Sequence, residues 1–108
     1  MKSQVREKDI EEYLRDQVKA IGGKAYKFVS PGNNGVPDRI ITLPGERVVF
    51  VETKAPGKKS TALQLKKQGE LKKLGFTVFE DIDSKNDVDT VINYCKMLLT
   101  YSLKGDET

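Results

Sequence analysis

Histidine and tryptophan are missing from this chain altogether, and cysteine occurs once, at Cys95. Without histidine there can be no histidine general base, no histidine-ligated zinc hydrolase and no Ser-His-Asp hydrolase. One cysteine rules out a zinc site built from several thiolates and leaves no partner for a disulfide. Any hydrolytic chemistry must therefore come from carboxylates, lysines and a hard, oxygen-seeking cation. No apolar run approaches the roughly 20 residues that span a bilayer. Residues 1–6 lack the apolar stretch of a secretory signal, so a cytoplasmic protein is expected.

What is present is the composition of one globular domain. The 108 residues are 32% charged and 37% hydrophobic, with a net charge of +3. That length suits one core, expected over residues 1–103, with a polar tail at 104–108. The basic surplus permits a polyanionic partner without requiring one.

Apolar residues at Ile10, Leu14, Val18 and Ile21 recur at helical spacing over residues 5–21, and Gly22-Gly23 stops the helix. Residues 25–29 read as a strand, and 30–37 (SPGNNGVP) as a loop with tight turns. Strands at 39–43 and 47–54 flank a turn at Pro44-Gly45. After the APGKK loop, Ser60 or Thr61 caps a helix that ends near Gly75. A fourth strand follows at 76–79. Asp83 or Ser84 then caps a last helix with Val88, Val91, Ile92, Cys95, Leu98 and Leu99 on a wide apolar face. Cys95 in that face reads as packing rather than as a nucleophile. Short connections pair the first three strands antiparallel, and the intervening helix makes the fourth parallel to the third. The fold class is α/β: a single mixed β-sheet flanked by helices, in the order αβββαβ with an extra C-terminal helix.

The informative segment is PDRIITLPGERVVFVETK, from Pro37 to Lys54. Alternation on the third strand puts Val48, Phe50, Glu52 and Lys54 on one face. An apolar stripe that becomes a carboxylate and an ammonium costs free energy unless those charges pair with each other or with a cation. A same-face ion pair is the purely structural explanation. The hairpin, however, also brings Asp38 beside the end of the third strand, next to Glu52. Two carboxylates there, with the backbone carbonyl of Thr53, suit Mg²⁺ or Mn²⁺.

The string SPGNNGVPDRIITLPGERVVFVETKAPGKKSTALQ resembles the core of the VRR-NUC nucleases, a branch of the PD-(D/E)XK superfamily. The matching positions are Gly35, Pro37, Asp38, Glu52, Lys54 and Gln64, with Glu7 in EKDIEEYL on the leading helix. The resemblance implies a restriction-endonuclease-like core. It also implies metal-dependent endonuclease activity with Glu7, Asp38, Glu52, Lys54 and Gln64 as the catalytic set. It further implies a homodimer acting on branched DNA, in a bacterial cell or a phage-infected host, and a basic group at Lys27.

Around that set, Lys58 and Lys59 follow the site on a loop and suit a phosphate backbone. Glu11 has the helical spacing of Glu7 but reads as a surface charge. Gln64 reads either as a ligand of the site or as a helix-start cap. Tyr94 and Leu98 on the last helix read as a dimer contact or as packing. The competing class is a non-catalytic DNA-binding or assembly module on the same fold. An RNA-directed nuclease is a third reading. The intact pair of acids with its lysine argues against the silent module.

Overall fold

The computed structural model describes residues 4–106, with side chains as far as Tyr101. Met1 to Ser3, Glu107 and Thr108 lie outside the described residues. The elements run α1 (Glu7–Ala20), β1 (Lys24–Lys27), β2 (Arg39–Leu43), β3 (Arg47–Thr53), α2 (Ala62–Lys73), β4 (Thr77–Ile82) and α3 (Lys85–Asp106). The order and type of every element agree with the sequence reading. α3 takes in the first three residues of the segment read as a tail.

The sheet order is β1-β2-β3-β4, with β1, β2 and β3 antiparallel and β4 parallel to β3. Leu43 pairs with Arg47 around a three-residue turn in which Gly45 and Glu46 both have positive φ. β1 ends two residues earlier than its apolar pattern suggests, although the Phe28 N–H still donates to the Asp38 carbonyl at 2.8 Å. β4 runs further than expected, because a bulge lets it continue past Phe79. Val51 pairs with Phe79 but Thr53 pairs with Ile82, so β4 carries one extra residue.

Alternation along β3 sorts the two faces. Val49, Val51 and Thr53 are buried on the side that receives α1 and α3. The main core is built there from Ile10, Leu14 and Val18 of α1, Ile41 and Leu43 of β2, and Val88, Val91, Ile92 and Cys95 of α3. Burial pushes the Cys95 thiol up to about 11, which keeps it a packing group. Phe50 and Glu52 face the other way. Phe50 stacks there between Phe28 and Phe76, at ring separations of 5.9 and 5.4 Å. Glu52 meets Gln64 of α2 on the same face.

Tyr94 and Leu98 pack against the core. The Tyr94 ring meets Phe79 edge-on, and its hydroxyl lies 2.8 Å from that of Thr77. Among the residues of α3 with described side chains, Met97 and Tyr101 are the exposed large apolar groups. Among the described residues no helix is long and apolar enough to cross a membrane.

Leu14 is fully buried where α1 meets the sheet and α3, so shortening it leaves a void that rigid neighbours cannot close. Leu14→Ala is expected to cost roughly 2–5 kcal/mol. Urea unfolding should show this as a lower midpoint with an unchanged slope.

Candidate active site

The site forms where β2 begins and β3 ends. Arg39 pairs with Val51, so Asp38 comes level with Glu52, one residue beyond the regular ladder. Pro37, also buried, sets the entry of the chain into β2. The Asp38 carboxylate is held by β3: Oδ1 accepts the Thr53 N–H at 2.8 Å, and Oδ2 accepts the Thr53 hydroxyl. Thr53 therefore enters the site through its amide and hydroxyl as a clamp on Asp38.

Glu52 is 3% exposed and projects toward α2. Its Oε2 lies 3.1 Å from the Lys54 Nζ and accepts from the Gln64 Nε2 at 3.3 Å. The Lys54 ammonium also donates to the Gln64 Oε1 at 2.7 Å. The same oxygen accepts the Thr61 N–H at 2.9 Å, and the Gln64 N–H donates to the Thr61 hydroxyl at 3.2 Å. Gln64 is thus both the third residue of a capping box and a bridge between Glu52 and Lys54. The same-face ion pair exists, but it does not account for the other carboxylate oxygen. The Glu52 Oε1 is buried with no hydrogen-bond partner, which costs free energy unless something else satisfies it.

α1 supplies two further acids. Carboxylate oxygens of Glu7, Glu11 and Asp38 all lie within 4.8 Å of one another. Glu7 is where the sequence places it. Glu11, read from the sequence as a surface charge, belongs to the cluster: its Oε1 accepts from the Thr53 hydroxyl at 3.4 Å and lies 3.5 Å from a guanidinium nitrogen of Arg39. Glu11 is one helical turn beyond Glu7, a spacing that solvated faces share. Only the packing of α1 beside β3 separates the two cases.

The electrostatics reflect this crowding. Burial is the main reason that the Asp38 carboxyl is pushed up to about 6; the Thr53 hydrogen bonds oppose the rise, and the Glu52 and Glu11 charges add to it. Burial likewise raises Glu52, against the hydrogen bond and charge of Lys54 and with the repulsion of Glu7. Four carboxylates face two cationic side chains, Lys54 and Arg39, leaving two negative charges in a partly dehydrated corner. That donor set, with one carboxylate oxygen unpartnered, fits a hard divalent cation.

The surrounding loops are tied to this corner. Gly35 has φ +91°, and a Cβ there would come within 2.9 Å of Leu63 Cγ, so the glycine-rich loop packs directly on the start of α2. The bulge in β4 turns Asp81, at φ 50°, toward the loop that follows Lys54. Its Oδ1 accepts the Ser60 N–H at 2.7 Å and the Ser60 hydroxyl at 2.8 Å. Buried Gln68 donates to the same hydroxyl at 3.2 Å, and Asp83 accepts the Gly57 N–H at 3.0 Å. Lys58 and Lys59 stand exposed on this anchored loop. Lys27, also exposed, pairs in register with Arg39 and so flanks Asp38. Sequence reasoning missed Asp81 and Gln68; neither carries a signal apart from the bulge and the packing of α2.

Comparison with known proteins places this architecture in a class. No family model matches the chain. A solved structure described as a VRR_NUC domain superposes with a TM-score of 0.74 at 31% identity, covering 81% of this chain and 94% of that one. A protein of Acyrthosiphon pisum secondary endosymbiont phage 1, named "Putative nuclease p44", is 53% identical over 74 residues, which is 68% of this chain and 80% of that protein. The chain belongs to the VRR-NUC family, and its fold is that of a VRR-NUC nuclease.

Asp38 holds its proton more tightly in the folded protein than in the unfolded chain, where a carboxyl titrates near ~3.9. Its contribution to stability is therefore fully present below about pH 4 and is lost as the pH rises toward 6. At neutral pH the buried charge weakens the fold. In EDTA, Asp38→Asn is expected to be more stable than wild type by about 1–3 kcal/mol near neutral pH, with the difference vanishing below about pH 4. Thermal unfolding across that range measures it. A variant that melts no higher than wild type at neutral pH would show that the Thr53 hydrogen bonds outweigh burial.

Proposed function

We propose that the protein is an endonuclease that hydrolyses phosphodiester bonds in DNA with Mg²⁺ or Mn²⁺ bound at the acidic corner. The observation that carries this reading is the buried, unpartnered Glu52 Oε1 in a corner with two uncompensated negative charges. A silent binding module gains nothing from that arrangement, which weakens the fold unless a cation completes it.

Asp38, Glu52 and Glu7 would hold the cation, with the Thr53 carbonyl as a further donor and Glu11 beside them. When bound, the cation supplies Lewis-acid stabilisation of the phosphate charge and lowers the pKa of water. The protein's own groups do the rest. Thr53 fixes both oxygens of Asp38, so its lone pairs are aimed before substrate arrives. Gln64 holds the Lys54 ammonium beside Glu52. Lys54 is thereby directed at the phosphate, where its charge stabilises the extra negative charge that develops as the attacking oxygen approaches. Lys27, Lys58 and Lys59 surround the corner as contacts for the sugar-phosphate backbone.

Selectivity for shape rather than base sequence suits such a small site. Among the described residues each helix has its place in the fold, α1 and α3 packed on the sheet and α2 carrying Gln64 at the acidic corner. Four-way junctions and flaps are the proposed substrates, cut by a homodimer whose twofold axis presents two sites. Exposed Met97 and Tyr101 on α3 are the better candidates for its contact, because Tyr94 and Leu98 are engaged by the core.

Cleavage of labelled four-way, flap, linear duplex and RNA substrates with Mg²⁺, Mn²⁺ or EDTA tests the reading. Glu52→Gln and Asp38→Ala are expected to abolish cutting while leaving DNA binding measurable. Gln64→Ala should lower the rate by about 10–100-fold, as loss of a group that orients a ligand does. Full activity in both carboxylate variants would remove the corner from the chemistry. Metal-independent binding without cutting of any substrate would favour the silent module.

A further inference from the structure

The α1 helix carries a row of side chains whose charge changes sign along its length. Glu7, Glu11, Arg15 and Lys19 follow at four-residue intervals and so lie along one ridge of the helix. The two acids belong to the cluster with Asp38. The two cations, at 1.5 Å per residue, are about 6 and 12 Å further along the axis from Glu11.

β1 runs beside it with a lysine at each end, on opposite faces of the strand. Lys27 pairs with Arg39 next to the acidic corner, and Lys24 lies three residues away, or about 10 Å along the strand. The two elements meet in a concavity of about 450 Å³ lined by Arg15, Lys19, Gly23, Lys24 and Ala25. Gly23 makes that meeting possible, since a Cβ there would lie 2.7 Å from the Thr42 carbonyl oxygen and 2.8 Å from Leu43 Cδ2. The turn between α1 and β1 is therefore pressed onto β2, which sets Arg15 and Lys19 beside the edge of β1, while the Lys24 side chain leaves that edge on the face away from Ala25.

None of Arg15, Lys19 and Lys24 has a carboxylate partner among the described residues. Lys24 instead lies over the ring of Tyr26, with Nζ 4.7 Å from its centroid. Backbone donors add to the charge. β1 is an edge strand, and Phe28 donates toward β2, so the alternation of antiparallel bonds turns the Ala25 N–H to the free edge beside the concavity.

We propose that Arg15, Lys19 and Lys24 form a second phosphate-backbone subsite for the nucleic-acid substrate, remote from the acidic corner and connected to it along α1 and β1. The inference rests on the nuclease reading for its ligand but not for its test. The subsite holds the arm of the substrate that leaves the corner on the β1 side. It carries no base information, so its effect falls on affinity and not on the chemical step.

The experiment compares wild type with the variant Arg15→Gln/Lys19→Gln/Lys24→Gln and with a control, Lys66→Gln/Lys73→Gln/Lys96→Gln, which removes the same charge from exposed lysines elsewhere. Binding to a fluorescent linear duplex is measured by anisotropy in EDTA at several salt concentrations. Each phosphate that is no longer neutralised lowers the slope of log affinity against log salt by about 0.9. The first variant is expected to lose about two to three from that slope and about 10–100-fold in affinity at low salt, while the control stays near wild type. In cleavage, the first variant should raise KM and leave kcat unchanged. Equal losses in the two variants would assign the effect to diffuse net charge and overturn the subsite. So would wild-type binding by the first variant, or no binding by wild type. If wild type binds and the subsite variant loses binding but nothing is cut with Mg²⁺ or Mn²⁺, the nuclease reading falls and the subsite stands. If wild type cuts and the subsite variant matches it in KM and binding, the reverse holds.

Discussion

The site depends on one clamp, the Asp38 carboxylate taking both the amide and the hydroxyl of Thr53. It ties the first residue before β2 to the last residue of β3 where regular pairing has run out. The β2–β3 ladder sets the register that brings Asp38 level with Glu52, and the clamp fixes the direction of the Asp38 carboxylate there. Two acids from different strands are thus held level in a partly dehydrated corner. Hydrogen bonds to a carboxylate are among the stronger ones in proteins, and here they work against the burial that pushes Asp38 toward its neutral form. The local balance is therefore tense by construction.

That tension is distributed by the rest of the fold. α1 brings Glu7 and Glu11 to Asp38, and Arg39 offsets part of the charge through Glu11. α2 brings Gln64 to the opposite face of β3, where it joins Glu52 to Lys54. The sheet thus divides the acidic corner into two neighbourhoods, one facing α1 and one facing α2, which meet at the end of β3. The bulge in β4 has a matching role: it aims Asp81 at Ser60 and so anchors the basic loop and the cap of α2 from below. Gln64 ties the start of α2 to Lys54, and Gly35 packs closely on Leu63 in the same turn of that helix.

Much of this is legible in the chain. Periodicity and turn residues place every element, and the hairpin at Pro44-Gly45 brings Asp38 level with Glu52. Gln64 is visible as either a cap or a site residue, and it is both, because one oxygen accepts from the Thr61 amide and the Lys54 ammonium. Glu11 is not legible in the same way. Its helical spacing fits a solvated face as well as a buried one, and the choice turns on how α1 rotates against β3. β4 reads too short in the sequence, since the alternation in its second half is broken by the extra residue at the bulge.

What the sequence by itself determined was the set of local patterns: helical and strand periods, the breaks at glycine and proline, and the acid-acid-lysine set. These depend on contacts between near neighbours or across one short hairpin, where the chain has few alternatives. The tertiary structure alone decided that Glu11 joins Glu7 at the corner, that one oxygen of Glu52 is buried without a partner, and that Asp81 and Gln68 hold a loop. It also decided that Arg15 and Lys19 of α1 lie beside the edge of β1 that carries Lys24. Those outcomes depend on the rotation and depth of whole elements against each other, and many residues far apart in the chain set them together.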